Sequence, residues 1–253
     1  MSTSPDPHSV SDRAASFTQG AEVYARVRPS YPAEAVSWLV PERSRVLDLA
    51  AGTGLLTRPL VDAGHDVVAV DPAPEMLAEL ATELPHVEAH QGTAESIPLD
   101  DDAVDVVVVG QAWHWFDAPR AAAEISRVLR PGGTLALCWN DRDERIDWVR
   151  RFGLILHDGD PLRARTGSRH EPPDLGPSFE PPETATFRWL HHLPTDHLRD
   201  LAGTRSYLLT LPEDEREALL ERVDDLVVTH PDLAGATEVA MPYVTAAYRA
   251  RRR

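Results

Sequence analysis

Residues 45–57, Arg-Val-Leu-Asp-Leu-Ala-Ala-Gly-Thr-Gly-Leu-Leu-Thr, restrict what this chain can fold into more than any other stretch. Val46, Leu47 and Leu49 are apolar on both faces of a short strand, the pattern of a strand covered on both sides in a parallel sheet. Ala50, Ala51, Gly52 and Gly54 follow as a bend with almost no side chains, and Leu55, Leu56, Leu60 and Val61 then recur with the helical period. Strand, stripped bend and helix together let a ligand lie against backbone, with amides at the helix start as donors. A lone Gly-x-Gly is also how many strands and helices merely pack closely. Spacing adds the weight: a second strand, 66–70, ends in Asp71, 23 positions after Asp48. That is close to the ~20-residue offset at which an acidic side chain accepts the hydroxyls of an adenosine ribose.

The rest of the chain extends the alternation. A short helix is expected at 16–27, then Pro29 and Pro32 end it and start another at 33–40. Helix 73–84 places Met76, Leu77, Leu80 and Leu84 on one face; strand 87–90, the valine run 104–109, helix 118–129 and strand 134–139 follow. Such a series predicts a Rossmann-like α/β fold, a doubly wound, mostly parallel seven-stranded sheet with ligand at the carboxyl ends of the strands. Its last two strands are expected at 184–190 and 241–248, beyond helices at 146–156, 198–207 and 213–228. Residues 158–183, rich in Pro, Gly, Asp and Arg, read as a long loop or partly disordered insert, and 1–15 as a disordered N-terminus. The expected organisation is a single domain over 16–253, with lid helices in 16–44, a cofactor-binding core in 45–145 and a helical cap with the final strands in 146–253.

Charge and cysteine content narrow the partners. The 25 basic residues, all arginine, face 41 acidic ones for a net charge of −16, a balance that repels phosphate backbones and argues against nucleic acid. Cys138 is the only cysteine, so neither an intrachain disulfide nor a cysteine metal cluster is available. His191 and His192 are neighbours in an expected strand and point to opposite faces, so no metal site is predicted. The polar start of the chain and the lack of an ~18-residue apolar run predict a cytoplasmic protein without a membrane span. Arg251, Arg252 and Arg253 read as an exposed tail.

Val46 to Gly54, Val70-Asp71, the valine run 104–109 and Leu129-Arg-Pro-Gly-Gly133 together resemble the class I S-adenosylmethionine-dependent methyltransferases, over at least residues 45–140. Residues 24–32, 111–117 and Arg205-Ser-Tyr207 further resemble a small-molecule branch that includes relatives of trans-aconitate methyltransferase. The first motif glycine is Ala50 here, a change read as mild because Cβ is small; Thr93 stands where an acidic residue commonly meets the adenine amino group; and Pro59 implies a helix that starts late or bends.

The resemblance implies S-adenosylmethionine as cofactor and a small-molecule methyl acceptor. Asp48 would hold the cofactor's amino group, Ala50, Gly52, Thr53 and Gly54 would flank its methionine part and ribose, and Asp71 would accept the ribose hydroxyls. Pro72, Ala73 and Ala94 would enclose adenine with Thr93 and Glu95 nearby, and Gln111 with Ala112 would lie by the sulfonium. His114 is the candidate general base, because a histidine can take a hydroxyl proton near neutral pH. Trp113 and Trp115 either line an acceptor pocket or pack as core aromatics. Tyr24, Arg28, Arg205 and Tyr207 are candidate acceptor contacts; a structural staple serves equally for the first pair, and a surface helix pair for the second. Two other functions stay open: a non-catalytic binding module, and a dinucleotide oxidoreductase. The latter wants a third glycine where Thr57 stands, and its short-chain form a lysine that this chain lacks. Asn140-Asp-Arg lacks the proline-aromatic of enzymes that methylate nucleic-acid amino groups.

Overall fold

A computed structural model describes residues 20–160 and 172–253; the expected disordered N-terminus and much of the 158–183 insert lie outside the described residues. The described strands are β1 (Arg45–Leu49), β2 (Asp66–Asp71), β3 (Glu88–Gln91), β4 (Val104–Gly110), β5 (Leu129–Arg142), β6 (Glu183–Pro194) and β7 (Glu238–Arg251). They form one sheet in the order β3-β2-β1-β4-β5-β7-β6, with one strand antiparallel. β1 lies between β2 and β4, parallel to both, and Val46, Leu47 and Leu49 are buried, as a doubly covered strand requires. Asp105 interrupts the valine run of β4 without loss: its carboxylate accepts from the Arg45 amide at 2.8 Å and pairs with Arg130.

The described residues divide into two compact units. One comprises residues 29–141, 172–188 and 244–253. Here Leu47, Leu49, Val107, Val109, Leu135 and Leu137 anchor the largest apolar cluster on one side of the sheet. Tyr31, Leu39, Leu60, Val106 and Val108 belong to another, as the alternation along β4 demands. Helices α2 (Ala33–Leu39), α3 (Thr57–Asp62), α4 (Pro74–Glu83) and α5 (Ala118–Val128) belong to this unit. α3 begins only at Thr57, so Pro59 falls in its first turn, where a missing amide costs nothing.

The other unit comprises residues 20–28, 142–160 and 189–243. It holds α1 (Ala21–Val27), α6 (Asp147–Leu156), α7 (His197–Gly203), α8 (Ser206–Leu209) and α9 (Glu213–Thr229). Phe152, Leu156, Leu198, Leu201, Val223 and Met241 are at its core. Leu219, Leu220, Val223 and Leu226 of α9 are buried at helical spacing, the face expected from the sequence.

Two expectations need correction. Strand five is not six residues long but runs from Leu129 to Arg142, because Leu129 already pairs with Val104 and the Arg130–Gly133 segment forms an irregularity in the ladder rather than a separating turn. The three C-terminal arginines, exposed at Arg251 and Arg253 as expected, are nevertheless bonded to the sheet rather than a tail. β7 extends to Arg251, the Arg252 amide donates to the Gly133 carbonyl and its side chain pairs with Asp102, and the Arg253 amide donates to Ser178.

Candidate active site

β1 and β2 deliver the two carboxylates. At the end of β1, Asp48 is 1 % exposed, and at the end of β2 Asp71 is 7 % exposed. The bend between them is tied to β2: the Ala50 and Ala51 amides both donate to the Val70 carbonyl, at 2.7 and 3.1 Å. The Gly52 amide then donates to Asp71 Oδ2 at 2.8 Å, and the Ala73 amide to Oδ1 at 2.9 Å. Asp71 is thus a structural clamp on both bends as well as a ribose candidate, since each carboxylate oxygen keeps a second lone pair.

The small residues of the bend have separate physical roles. Gly52 has φ +56° and open space where a Cβ would stand, which leaves backbone approachable. Gly54 has φ +87°, and a Cβ there would press on Leu80 at 3.2 Å, so it also serves packing against α4. Ala50 has φ 59°. Its replacement of glycine is therefore more than a matter of size, because a Cβ in the left-handed region costs roughly 1 kcal/mol.

Asp48 accepts from the Thr57 hydroxyl, which donates to Oδ2 at 2.7 Å and is itself fully buried. Burial pushes the Asp48 carboxyl up to about 7 against the lowering effect of that hydrogen bond, with the nearby Asp71 charge adding to the rise. Asp71 is also raised by burial, opposed by its bonds from Ala73 and Gly52. Two carboxyls held partly against ionisation are suited to a ligand that brings a positive charge. Thr57 was not singled out by sequence; the one available sign was a hydroxyl residue at the head of an apolar helix, nine positions after Asp48.

Beyond β3 and β4 the remaining candidates spread around the same strand ends. Ala94 is buried in the core, while Thr93 is exposed and bridges to Ser96. Glu95 Oε1 accepts from the Asp117 amide at 2.9 Å, and the Pro72 carbonyl accepts from Gln91 at 3.0 Å. Gln111 adopts φ 61°, held by its amide to the Cys138 carbonyl and by its side chain to the Asn140 carbonyl, at 2.9 and 3.0 Å. In the short 3-10 turn Trp113–Trp115, Trp113 is buried edge-on to Phe116 at 5.9 Å. That arrangement favours the core role for Trp113. His114 is exposed and packs on Trp115 at 4.5 Å between ring centres. Tyr24, Arg28, Arg205 and Tyr207 all belong to the other unit, whereas Ser30 and Tyr31, from the same sequence segment as Tyr24, belong to this one.

An adenosine with a charged amino acid end matches these residues. Thr53 Oγ1, in the bend, is buried with no hydrogen-bond partner among the described residues, an orphan that a ligand polar group would satisfy. Next to it, Gly52 leaves backbone open, Asp71 has acceptor capacity to spare, and Asp48 gains from a cation.

Comparison with known proteins agrees with this geometry. Residues 47–137 match the family model described as a methyltransferase domain. An uncharacterized methyltransferase of Mycobacterium bovis is 50 % identical over 241 residues, covering 94 % of this chain and 96 % of the relative. An uncharacterized methyltransferase-like protein of Schizosaccharomyces pombe is 34 % identical over 236 residues, 89 % of this chain and 91 % of that one. Among solved structures, a protein of Anaeromyxobacter dehalogenans, assigned provisionally as a type II methyltransferase, superimposes with a TM-score of 0.58 at 26 % identity, over 89 % of this chain and 97 % of that one. Relatives are matched over almost their whole length, beside the strand order, bend and carboxylate pair described above, and the chain belongs to the class I S-adenosylmethionine-dependent methyltransferases.

Proposed function

We propose that this chain moves a methyl group from S-adenosylmethionine to an oxygen or nitrogen of a small organic acceptor, as an enzyme rather than a silent binding module. The observation that carries the cofactor half is the pair Asp48 and Asp71 on adjacent strand ends with the open Gly52 bend between them. When bound, the cofactor supplies an activated methyl on a sulfonium, so the chain's task is to orient and to exclude water. Asp48 and Thr57 bind and orient the amino group, Thr53 and Asp71 the polar groups of the ligand, and Ala94 and Pro72 the adenine faces. Gln111, fixed in its left-handed conformation, shapes the end of β4. His114, exposed beside Trp115, takes the proton an acceptor hydroxyl must lose. The acidic balance of the chain supports a small acceptor over nucleic acid, and a cytoplasmic location is part of the same reading. No helix among the described residues is long and apolar enough to cross a membrane.

Calorimetry with S-adenosylmethionine and with NAD tests the cofactor assignment: NAD binding without binding of the sulfonium compound overturns it. Asp71→Ala is expected to weaken S-adenosylmethionine by at least about 30-fold, the worth of one or two charge-assisted hydrogen bonds. Unchanged affinity in a folded variant places the ribose elsewhere. A screen of acidic and phenolic metabolites for S-adenosylhomocysteine production then identifies the acceptor, and no product with any of them favours the binding module.

A further inference from the structure

In a chain of net charge −16, three arginines of the unit that does not contain the Gly52 bend act on one buried phenol. Tyr243, 4 % exposed, is raised by burial, and the groups that oppose the rise are three arginines, Arg142, Arg28 and Arg205. Arg28 caps the end of α1, where its Nε donates to Thr204 Oγ1 at 2.9 Å and its Nη2 to the Thr204 carbonyl at 2.8 Å. Thr204 is buried and fixed in turn by its own bond to the Leu201 carbonyl at 2.8 Å. The Arg28 guanidinium lies 5.0 Å from the Tyr24 ring centre. Arg205, next in sequence to Thr204, donates to His157 Nε2 at 3.4 Å. Tyr243 stacks on Trp189 with ring centres 5.5 Å apart.

Arg28 differs from most arginines of this protein. Arg26, Arg45, Arg58, Arg127, Arg130, Arg145, Arg199 and Arg249 each pair with a carboxylate. Arg28, half-buried, has no carboxylate partner among the described residues, although 41 acidic side chains were available to supply one. Holding the Arg28 guanidinium partly out of water with only neutral acceptors is unfavourable unless an anion joins it. Thr204 takes the Nε side of the group and leaves its end-on edge, the geometry that accepts a planar carboxylate through two parallel bonds. Stacked aromatic rings beside the cations suit a flat, apolar body on the same ligand.

We propose that Arg28, with Arg142 and Arg205, forms a binding site for a small organic acid, whose carboxylate meets the Arg28 fork and whose body lies against Tyr24, Trp189 and Tyr243. To identify this ligand with the methyl acceptor rests on the methyl-transfer reading; the site itself does not.

Benzoate, titrated into the full chain without S-adenosylmethionine and followed by tryptophan fluorescence and ligand-observed NMR, tests the site. Saturable binding is expected, weakened about tenfold or more by Arg28→Gln, which is the size of one charge-assisted hydrogen bond. Arg205→Gln, a second variant in case the first loses its fold, is expected to weaken it as well. Arg199→Gln, which removes a cation paired with Glu217 and Asp224 instead, should leave it unchanged. Absence of saturable binding, equal affinity in both site variants, or displacement of benzoate by equimolar inorganic phosphate overturns the proposal. Because S-adenosylmethionine affinity is measured separately, loss of that binding with benzoate binding intact refutes the methyl-transfer reading alone.

Discussion

Replacing Asp48 with asparagine should make the ligand-free protein more stable at pH 8 and nearly unchanged at pH 4. The folded carboxyl is held up to about 7 against an ordinary value of 3.8. Between those values the folded chain keeps a proton that the unfolded chain has released, so stability falls as pH rises through the window. Below about 4 both states are protonated and the penalty vanishes; above about 7 both are ionised and it is complete, at most about 4 kcal/mol for a shift of roughly three units. Asparagine has nearly the same shape, can still accept from the Thr57 hydroxyl, and carries no charge into a site that is 1 % exposed. Melting curves of both proteins from pH 4 to 8 should therefore diverge as pH rises, to a difference of about 10 °C in favour of the variant. Titrations of other groups are common to both and drop out of the difference. The same substitution should abolish most S-adenosylmethionine binding, and wild type but not variant should release a proton on binding near pH 6, because a cationic amine stabilises the ionised form. Parallel melting curves across the window, or a variant less stable at pH 8, would refute the claim that Asp48 is a carboxyl strained by burial and reserved for a cation.

Ala50→Gly should stabilise the chain, by no more than about 1 kcal/mol, since it relieves a φ of 59° at the cost of a more flexible unfolded state; a lower denaturant midpoint would contradict that balance. Gly110→Ala places a Cβ 2.6 Å from the Tyr31 hydroxyl and should cost about 1–3 kcal/mol in chemical denaturation. Tyr31→Phe in that background should recover part of the loss, and strictly additive effects of the two would mean the clash is not the cause.

The features legible in the sequence are those written locally. Val46 to Leu49 announces a doubly covered strand by composition alone, and Gly52 and Gly54 announce the bend because no other residue tolerates those backbone angles cheaply. Asp71 is legible by its offset from Asp48, although its clamp on the Gly52 and Ala73 amides is not, since those bonds depend on how the two strand ends meet. What escaped depends on partners distant in the chain. Arg252 reads as a tail residue until Gly133 and Asp102 supply its bonds, 119 and 150 positions earlier. Leu129 reads as the end of a helix until Val104 pairs with it. Tyr24 and Tyr31 lie seven positions apart in one polar segment, yet they belong to different units, a division that no local pattern encodes.

Asn140 shows how the site's precision comes from a residue whose sequence context carried only a negative message, the missing proline-aromatic. Its side chain donates to the Ser30 carbonyl at 2.8 Å and accepts from the buried Thr245 hydroxyl at 2.6 Å, while its own carbonyl accepts from Gln111 at 3.0 Å. Ser30 passes the link on, its hydroxyl donating to the Leu55 carbonyl at 3.0 Å just beyond the glycine bend. One amide therefore joins the ends of β4 and β5, the middle of β7, the segment before α2 and the approach to α3. A left-handed Gln111 is unfavourable on its own and persists because this fully bonded network over-determines it. In a transferase whose chemistry comes with the cofactor, accurate placement at the strand ends is the protein's main contribution, and Asn140 is the residue through which β7 and the N-terminal segment bear on that placement.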